Sequence, residues 1–358
     1  MSQSPHTPSP DRVAYRGYVG RAALLGTGLI GASVGISLRA TGWTVTAWDP
    51  DPVALHRAGV VGAFDDVATD RESAVAGAEL VVLAGPISSI VHALETIETA
   101  ALITDVAGVK APVVAAGSRL PGFVGGHPMA GRETSGPDGA SGSMFRGATW
   151  VLTTDGAGDE ALDAVTAIVT ALGANPVRMT AAEHDASVAA ASHLPQITAA
   201  ALVEAVAAEH GALELAAGGF RDLTRVALSD PGWWIDVLTA NRSEVSRSLR
   251  GLARLLEGFA DAVDRQDRVV LEERLRRSRQ IRSEMAAPVE TVSMVLEDRP
   301  GEMARVGLAL SLSGVDLRDL QLRHAVHGGG GVLTLSVRSG EADRLRQALE
   351  LEKFRVVG

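Results

Sequence analysis

The chain contains no cysteine, which removes disulfides, thiolate nucleophiles and zinc–thiolate sites from consideration. Long apolar runs are also missing. Stretches such as Leu80 to Ala84 fall far short of the roughly 20 residues that cross a bilayer. The N-terminus has no apolar core ahead of a cleavage site, so no secretory signal is read and a soluble, cytoplasmic protein without a membrane partner is expected. Positive charge is in deficit: 33 Lys and Arg stand against 43 Asp and Glu, a net charge of −10. A surface of that sign repels a phosphate backbone, so no nucleic-acid partner is expected. An anionic small-molecule substrate would need basic residues gathered locally. No metal site is read.

What is present is apolar content of 46% over 358 residues, enough for more than one buried core and for two or three domains. Residues 1–18, rich in Ser, Pro and polar side chains, read as a disordered tail. From 19 to 181, short apolar runs alternate with helical patterns. The runs are Ala22–Leu25, Thr44–Trp48, Leu80–Ala84, Leu102–Thr104, Phe123–Val124 and Thr149–Leu152. That alternation predicts βαβ units and a mainly parallel sheet, closed by a helix over Glu160–Leu172 and a strand near Val177. From 182 to 286 the pattern is almost wholly helical, with the small side chains of Ala182–Ala208 suited to close helix contact and a homodimer interface. Ser229-Asp230-Pro231 marks a helix start. Ala286-Ala287-Pro288 marks a boundary, after which 290–358 reads as β-α-β-β-α-β, a ferredoxin-like order.

Leu24-Leu25-Gly26-Thr27-Gly28-Leu29-Ile30-Gly31 places a GxGxxG between a strand and a helix. Gly26 permits a tight turn, Gly28 lets a pyrophosphate approach the backbone and Gly31 lets the helix pack on the strand. The N–H groups opening the helix at Leu29 and Ile30 can then face phosphate. Asp49 follows the second strand about 20 residues on, where a carboxylate accepts from both ribose hydroxyls and repels a 2′-phosphate. This pattern is a Rossmann dinucleotide site and favours NAD over NADP, while FAD or a nucleotide sugar also satisfies the glycines alone. Asp51 adds to the repulsion, and Arg57 is the nearest downstream base.

Two further segments lie at strand C-termini, where such sheets bind ligands: Thr104 to Lys110, and Gly125-Gly126-His127-Pro128-Met129-Ala130-Gly131. His127 titrates near neutrality and can take a proton from an alcohol, although a loop histidine can equally satisfy a carbonyl. A third segment, Gly218 to Arg225, lies in the helical region. Together Gly126 to Gly131, with Glu133 and Ser135-Gly136, resemble the catalytic loop of the prephenate and arogenate dehydrogenase family. Thr104-Asp105-Val106 through Val109-Lys110, Ser192-His193-Leu194-Pro195, Gly218 to Arg225, Ser229-Asp230-Pro231 and Trp234 resemble its other motifs in order. The resemblance runs from about Arg21 to Met285.

The resemblance implies NAD-dependent oxidation and decarboxylation of a cyclohexadienyl acid on the route to tyrosine, with His127 as the acid–base group. It implies that Arg225 binds a substrate carboxylate and that Asp222 orients it or gates the pocket. An interhelical ion pair is the plain alternative for Arg225. His193 is a pocket residue or a core histidine. Two positions depart from the family pattern. Gly108 stands where a serine is usual, leaving no side-chain hydroxyl between Asp105 and Lys110, and Gln196 stands where a further histidine is common. Leu296 to Ala304 resembles the first strand and turn of an ACT domain, which implies a possible amino-acid effector, and Gly328–Gly331 reads as a hairpin turn. Prephenate is the leading substrate, arogenate the rival, and a non-catalytic NAD and amino-acid sensor the non-enzymatic alternative. Replacing Asp49 with Ser is expected to relax discrimination against NADP, measured as the ratio of kcat/KM for the two nucleotides. An unaltered protein that already prefers NADP contradicts the ribose assignment.

Overall fold

A computed structural model describes residues 20–131, 136–285, 289–324 and 330–357. The expected tail, Glu133, Ser135, the boundary at Ala286–Pro288 and the first half of the Gly328–Gly331 turn lie outside the described residues. The backbone forms two compact units, one ending at Arg254 and one beginning at Leu255.

The first unit opens with β1 (Arg21–Leu25), α1 (Leu29–Ala40), β2 (Thr44–Trp48), α2 (Pro52–Val60), β3 (Asp66–Val67) and α3 (Arg71–Val75). It continues with β4 (Leu80–Leu83), α4 (Ile87–Thr96), β5 (Leu102–Asp105), α5 (Ala111–Gly117) and β6 (Phe123–Val124). These strands form one parallel sheet in the order β3-β2-β1-β4-β5-β6. Both faces are covered, so β4 is an unbroken apolar run, Leu-Val-Val-Leu, buried throughout. Successive side chains of β1 part to opposite faces: Ala22 and Leu24 join a core with Leu38, Val45 and Val165, while Ala23 and Leu25 join one with Val81, Ile90 and Ile103. Strand order reverses between β1 and β4, the point at which such sheets open a crevice at their C-terminal ends.

Thr149–Leu152 and Val177 do not extend this sheet. With β7 (Gly126–Pro128), β8 (Thr149–Thr153) and β9 (Asn175–Met179) form a separate three-stranded sheet, with α6 (Asp159–Ala171) between its last two strands. β7 runs antiparallel to β8, and β8 parallel to β9. The reason lies at Gly125. The two-residue β6 ends there, and its N–H and C=O pair with Thr153 instead, at 3.1 and 2.8 Å, which turns the chain into the second sheet.

Helices follow: α7 (Ala181–Val188), α8 (Leu194–Ala207), α9 (Gly218–Thr224), α10 (Pro231–Ala240) and α11 (Arg242–Asp264). Between α7 and α8 the chain widens into a π-helical turn, Ala189–His193. Pro195 has no N–H and its ring would press on the carbonyl four residues back, a conflict that a wider turn relieves. Contrary to the short runs read from sequence, Ala181–Ala207 is long and apolar enough to cross a membrane by length and composition. It also carries buried His184, Asp185 and His193, which bond to Lys110 ahead of α5, to His127 on β7 and to Asn241 just after α10.

The second unit holds α12 (Arg268–Met285), β10 (Val289–Leu296), α13 (Glu302–Ser313), β11 (Leu317–His324), β12 (Gly331–Arg338), α14 (Ala342–Leu351) and β13 (Arg355–Val357). Its antiparallel sheet has the order β11-β12-β10-β13 and packs Val292, Met294, Leu333 and Leu335 against Leu345 and Leu349.

On α1, a Cβ at Gly35 would run into the carbonyl oxygen of Ala63. Gly35→Ala is therefore expected to cost about 1–3 kcal/mol, seen as a lower urea midpoint at unchanged slope. An unmoved midpoint would show that the helix can lift freely.

Candidate active site

The turn after β1 is built around its glycines. Gly26 has φ of 101°, and a Cβ there would stand 2.6 Å from the carbonyl oxygen of Ala84. A Cβ at Gly31 would strike the oxygen of Gly26, so α1 sits directly on the turn. At Gly28, by contrast, a Cβ would meet nothing within 4 Å. The α1 N-terminus has no side-chain cap and no acidic residue in its first turn, leaving the N–H groups of Leu29, Ile30 and Gly31 directed at that open face.

Asp49 holds the turn from the β2 side. Its Oδ2 accepts from Thr27 N at 2.6 Å and Thr27 Oγ1 at 2.9 Å, and its Oδ1 accepts from Asp51 N at 2.9 Å. An open cradle, an uncapped helix end and a carboxylate at the rim fit a dinucleotide. Arg57 Nε donates to Asp138 Oδ1 at 3.0 Å, so the nearest base is already engaged by a carboxylate.

His127 is the middle residue of β7, paired with Val151. The peptide groups before it are fixed from both sides. Asp105, at the end of β5, accepts from Gly126 N through Oδ1 at 3.0 Å and from Ala107 N through Oδ2 at 2.8 Å. Lys110, one of two lysines in the chain, ion-pairs with Asp105 and donates to Gly126 O at 2.6 Å. Both charged side chains are fully buried. Burial lowers the Lys110 pKa, with Asp105 opposing the shift.

Behind His127 stands a second imidazole. His127 Nδ1 lies 2.8 Å from His184 Nε2, the rings meeting edge-on at 73°, and His184 Nδ1 lies 2.7 Å from Asp185 Oδ1. The Asp185 carboxylate also accepts from Lys110 N at 2.7 Å and Ala111 N at 2.8 Å. Acceptor-only oxygens require His184 Nδ1 to donate, which in the neutral ring leaves its Nε2 as an acceptor. His127 Nδ1 must then carry the proton, and its Nε2 presents a lone pair. That nitrogen makes no hydrogen bond among the described residues. It faces Gly108, where a Cβ would lie 3.7 Å from it and 4.0 Å from the Trp233 ring. Burial, then the charge of Lys110, then His184 and His193 push the His127 pKa well below 6.5. The ring is therefore a neutral base at pH 7.

His193 ends the π-helical turn, buried, with Nδ1 3.3 Å from Asn241 Nδ2. The Asn241 amide also donates to Asp185 O at 2.8 Å. Its second hydrogen makes His193 Nδ1 the acceptor, so His193 Nε2 carries a proton and is a donor. Burial lowers its pKa to about 4, against the pull of Asp185. The His193 ring packs edge-on to Trp234 at 5.9 Å, and Trp234 on Trp233 at 4.8 Å, an aromatic wall. Gln196 is buried on α8, its side chain without a hydrogen bond to a described residue. Asp222 and Arg225 lie exposed at the end of α9 and the start of the short turn after it.

The structure thus gathers His127, Gly108, His193, Trp234 and Lys110 into one neighbourhood. Sequence reading passed over His184, Asp185, Asn241 and Trp233. A signal was available: Thr180 and Glu183 form a capping box, and the next two residues put a His–Asp pair at the start of an Ala-rich helix. Ionisable pairs in such a segment call for buried partners.

Residues 34–178 match the family described as prephenate dehydrogenase, nucleotide-binding domain, and residues 180–277 match prephenate dehydrogenase, dimerization domain. A probable prephenate dehydrogenase of Streptomyces niveus is 32% identical over 93% of this chain and 98% of that protein. The prephenate dehydrogenase of Bacillus subtilis is 30% identical over 90% of this chain and 93% of its own. Among solved structures, Aquifex aeolicus prephenate dehydrogenase in complex with hydroxyphenyl propionate and NAD+ is similar at TM-score 0.70 and 27% identity, covering 76% of this chain and 99% of that one. Synechocystis arogenate dehydrogenase is similar at TM-score 0.66 and 30% identity, covering 74% and 100%.

Removing one member of the Lys110–Asp105 pair leaves a buried charge uncompensated. Lys110→Met is expected to destabilise the fold by about 3–5 kcal/mol, with partial recovery in Lys110→Met/Asp105→Asn. Denaturant titration of both variants checks this, and a double variant no better than the single one contradicts the pairing.

Proposed function

The chain belongs to the prephenate dehydrogenase family, and from that premise we propose that it oxidises and decarboxylates prephenate to 4-hydroxyphenylpyruvate with NAD. The observation that carries the chemistry is the proton-free Nε2 of His127, held toward the space beside Gly108 and Trp233. NAD held by Gly26, Gly28, Leu29, Ile30, Gly31 and Asp49 supplies the hydride acceptor. The α1 N-terminus would neutralise the pyrophosphate charge, and the Asp49 carboxylate would accept from the ribose hydroxyls.

His127 Nε2 accepts the hydrogen bond of the substrate's ring hydroxyl and takes its proton as the carbinol carbon is oxidised. The ring carboxylate then leaves as carbon dioxide, and the gain of aromaticity makes the reaction irreversible in practice. The Asp105–Lys110 clamp fixes the imidazole through the Gly126 peptide, so little ordering is left to the reaction itself. Gly108 supplies no hydroxyl to hold His127. His184 holds the ring from its other nitrogen.

For the substrate's acidic groups we assign Arg225, which can grip a carboxylate with two parallel hydrogen bonds, with Asp222 beside it as orienting group. His193, through Nε2–H, and Gln196, through its amide, are the neutral donors of the pocket. The proposed domain limits are 19–181 for the nucleotide-binding part, 182–286 for the helical dimerisation part and 290–358 for an ACT-like module. The order of strands and helices in the second unit supports the last; an amino acid is its proposed effector.

His127→Asn is expected to lower turnover about 10²–10⁴-fold while NAD binding persists. Because the imidazole's pKa is depressed, its base form survives as pH falls. In the unaltered enzyme kcat/KM should stay level down to pH 6.5 and decline only below it. Turnover assayed with prephenate and with arogenate, each with NAD and with NADP, decides the substrate. Loss of activity beginning above pH 7, or turnover unaffected by the substitution, contradicts the assignment.

A further inference from the structure

Three groups stand in line: His127 on β7, His184 on α7 and Asp185 beside it, joined by contacts of 2.8 and 2.7 Å. Resting on the function proposed above, we infer that His184 is a positioning residue and proton acceptor behind His127. When the substrate hydroxyl's proton arrives on His127 Nε2, the Nδ1 proton of the same ring crosses to His184 Nε2. The two imidazoles thereby exchange donor and acceptor roles. His127 ends neutral, with Nε2–H formed and Nδ1–H broken, and the positive charge rests on His184. One proton enters and one is passed on, so no further reactant is needed.

Charge decides the direction. The groups facing the two rings are Lys110 at the head of α5, Asp105 at the end of β5, His193 on the π-helical turn and Asp185 on α7 itself. The Lys110 ammonium is among the causes that disfavour an imidazolium at 127. At 184 the ring instead touches the Asp185 carboxylate, which is oriented by two backbone N–H groups and needs no rearrangement as charge develops. Asp185 also lines a cleft of about 780 Å³ bordered by Pro112, Asp236, Asn241 and Arg242. The Asp185 end of the line thus borders this cleft.

His184→Gln separates positioning from proton uptake. The glutamine Oε1 can accept from His127 Nδ1, whereas an amide does not take a proton at these pH values. The inference predicts a fall in kcat of about tenfold or more with KM changed less than about twofold. The acid limb of the kcat/KM profile should move to lower pH, because an amide at 184 takes up no proton. His184→Asn, which loses the contact with His127 as well, should fall further. An independent reading needs no turnover: ¹⁵N spectra of histidine-labelled wild-type protein at pH 8 should show His127 protonated at Nδ1 and bare at Nε2. A His127 found as the Nε2–H tautomer, or a His184→Gln enzyme with unchanged kcat and acid limb, overturns the inference. Should wild type fail to turn over either cyclohexadienyl acid, the functional proposal falls, while the ¹⁵N spectra still decide the tautomer.

Discussion

The Asp185 carboxylate is the joint on which the site depends. It accepts the backbone N–H groups of Lys110 and Ala111, where α5 begins, and the ring proton of His184 on its own helix. Its carbonyl accepts from Asn241, at the end of α10. One residue therefore ties the loop after β5 to two helices of the following segment. The His184 tautomer and the His127 lone pair follow from that carboxylate being an acceptor, and the His193 donor follows from the same residue's carbonyl holding the Asn241 amide. Its loss would leave two N–H groups and an imidazole without partners in a buried place, a heavier penalty than the loss of one ordinary hydrogen bond.

Around this joint the protein buries one positive charge between two carboxylates, Asp105 and Asp185. With a net charge of −10, it places a fully buried lysine beside its catalytic candidate. Lys110 has two effects. Through Gly126 it fixes the strand that bears His127, and through its field it keeps that imidazole neutral. A base that stays unprotonated is useful for abstracting a proton, but it must then dispose of the charge it acquires. The ring of His184, with a carboxylate in contact, provides the place. The same segment keeps His193 neutral by burial, so the pocket offers one lone pair and one N–H donor from two histidines a short distance apart.

Local rules made much of this legible before any coordinates. The glycine turn, the acid at 49 and the alternation of strand and helix are short-range patterns, and the structure builds the parallel sheet and the open cradle from them. His127 was legible as a histidine at a strand end. The relay was not, since its contacts span 57 and 75 residues of sequence and carry no periodic signature. The departure of β8 and β9 into a second sheet was hidden for a related reason. It turns on one Gly125–Thr153 pairing that an apolar run at 149–152 does not announce. The π-helical turn was likewise masked, because Ala-rich sequence reads as uninterrupted helix until the proline at 195 is weighed against the carbonyl behind it. Arg225 and Asp222 came from resemblance alone, and the fold sets both at an exposed helix end.

The account stands on the imidazole at 127 acting as the base, and chemical rescue examines that act itself. In His127→Gly, the vacated space beside Gly108 and Trp233 is expected to admit free imidazole and restore NADH formation from prephenate, with substituted imidazoles ranking by their basicity. If no imidazole restores turnover at any concentration, although the variant is folded and binds NAD and a substrate analogue normally, His127 is not the group that takes the proton.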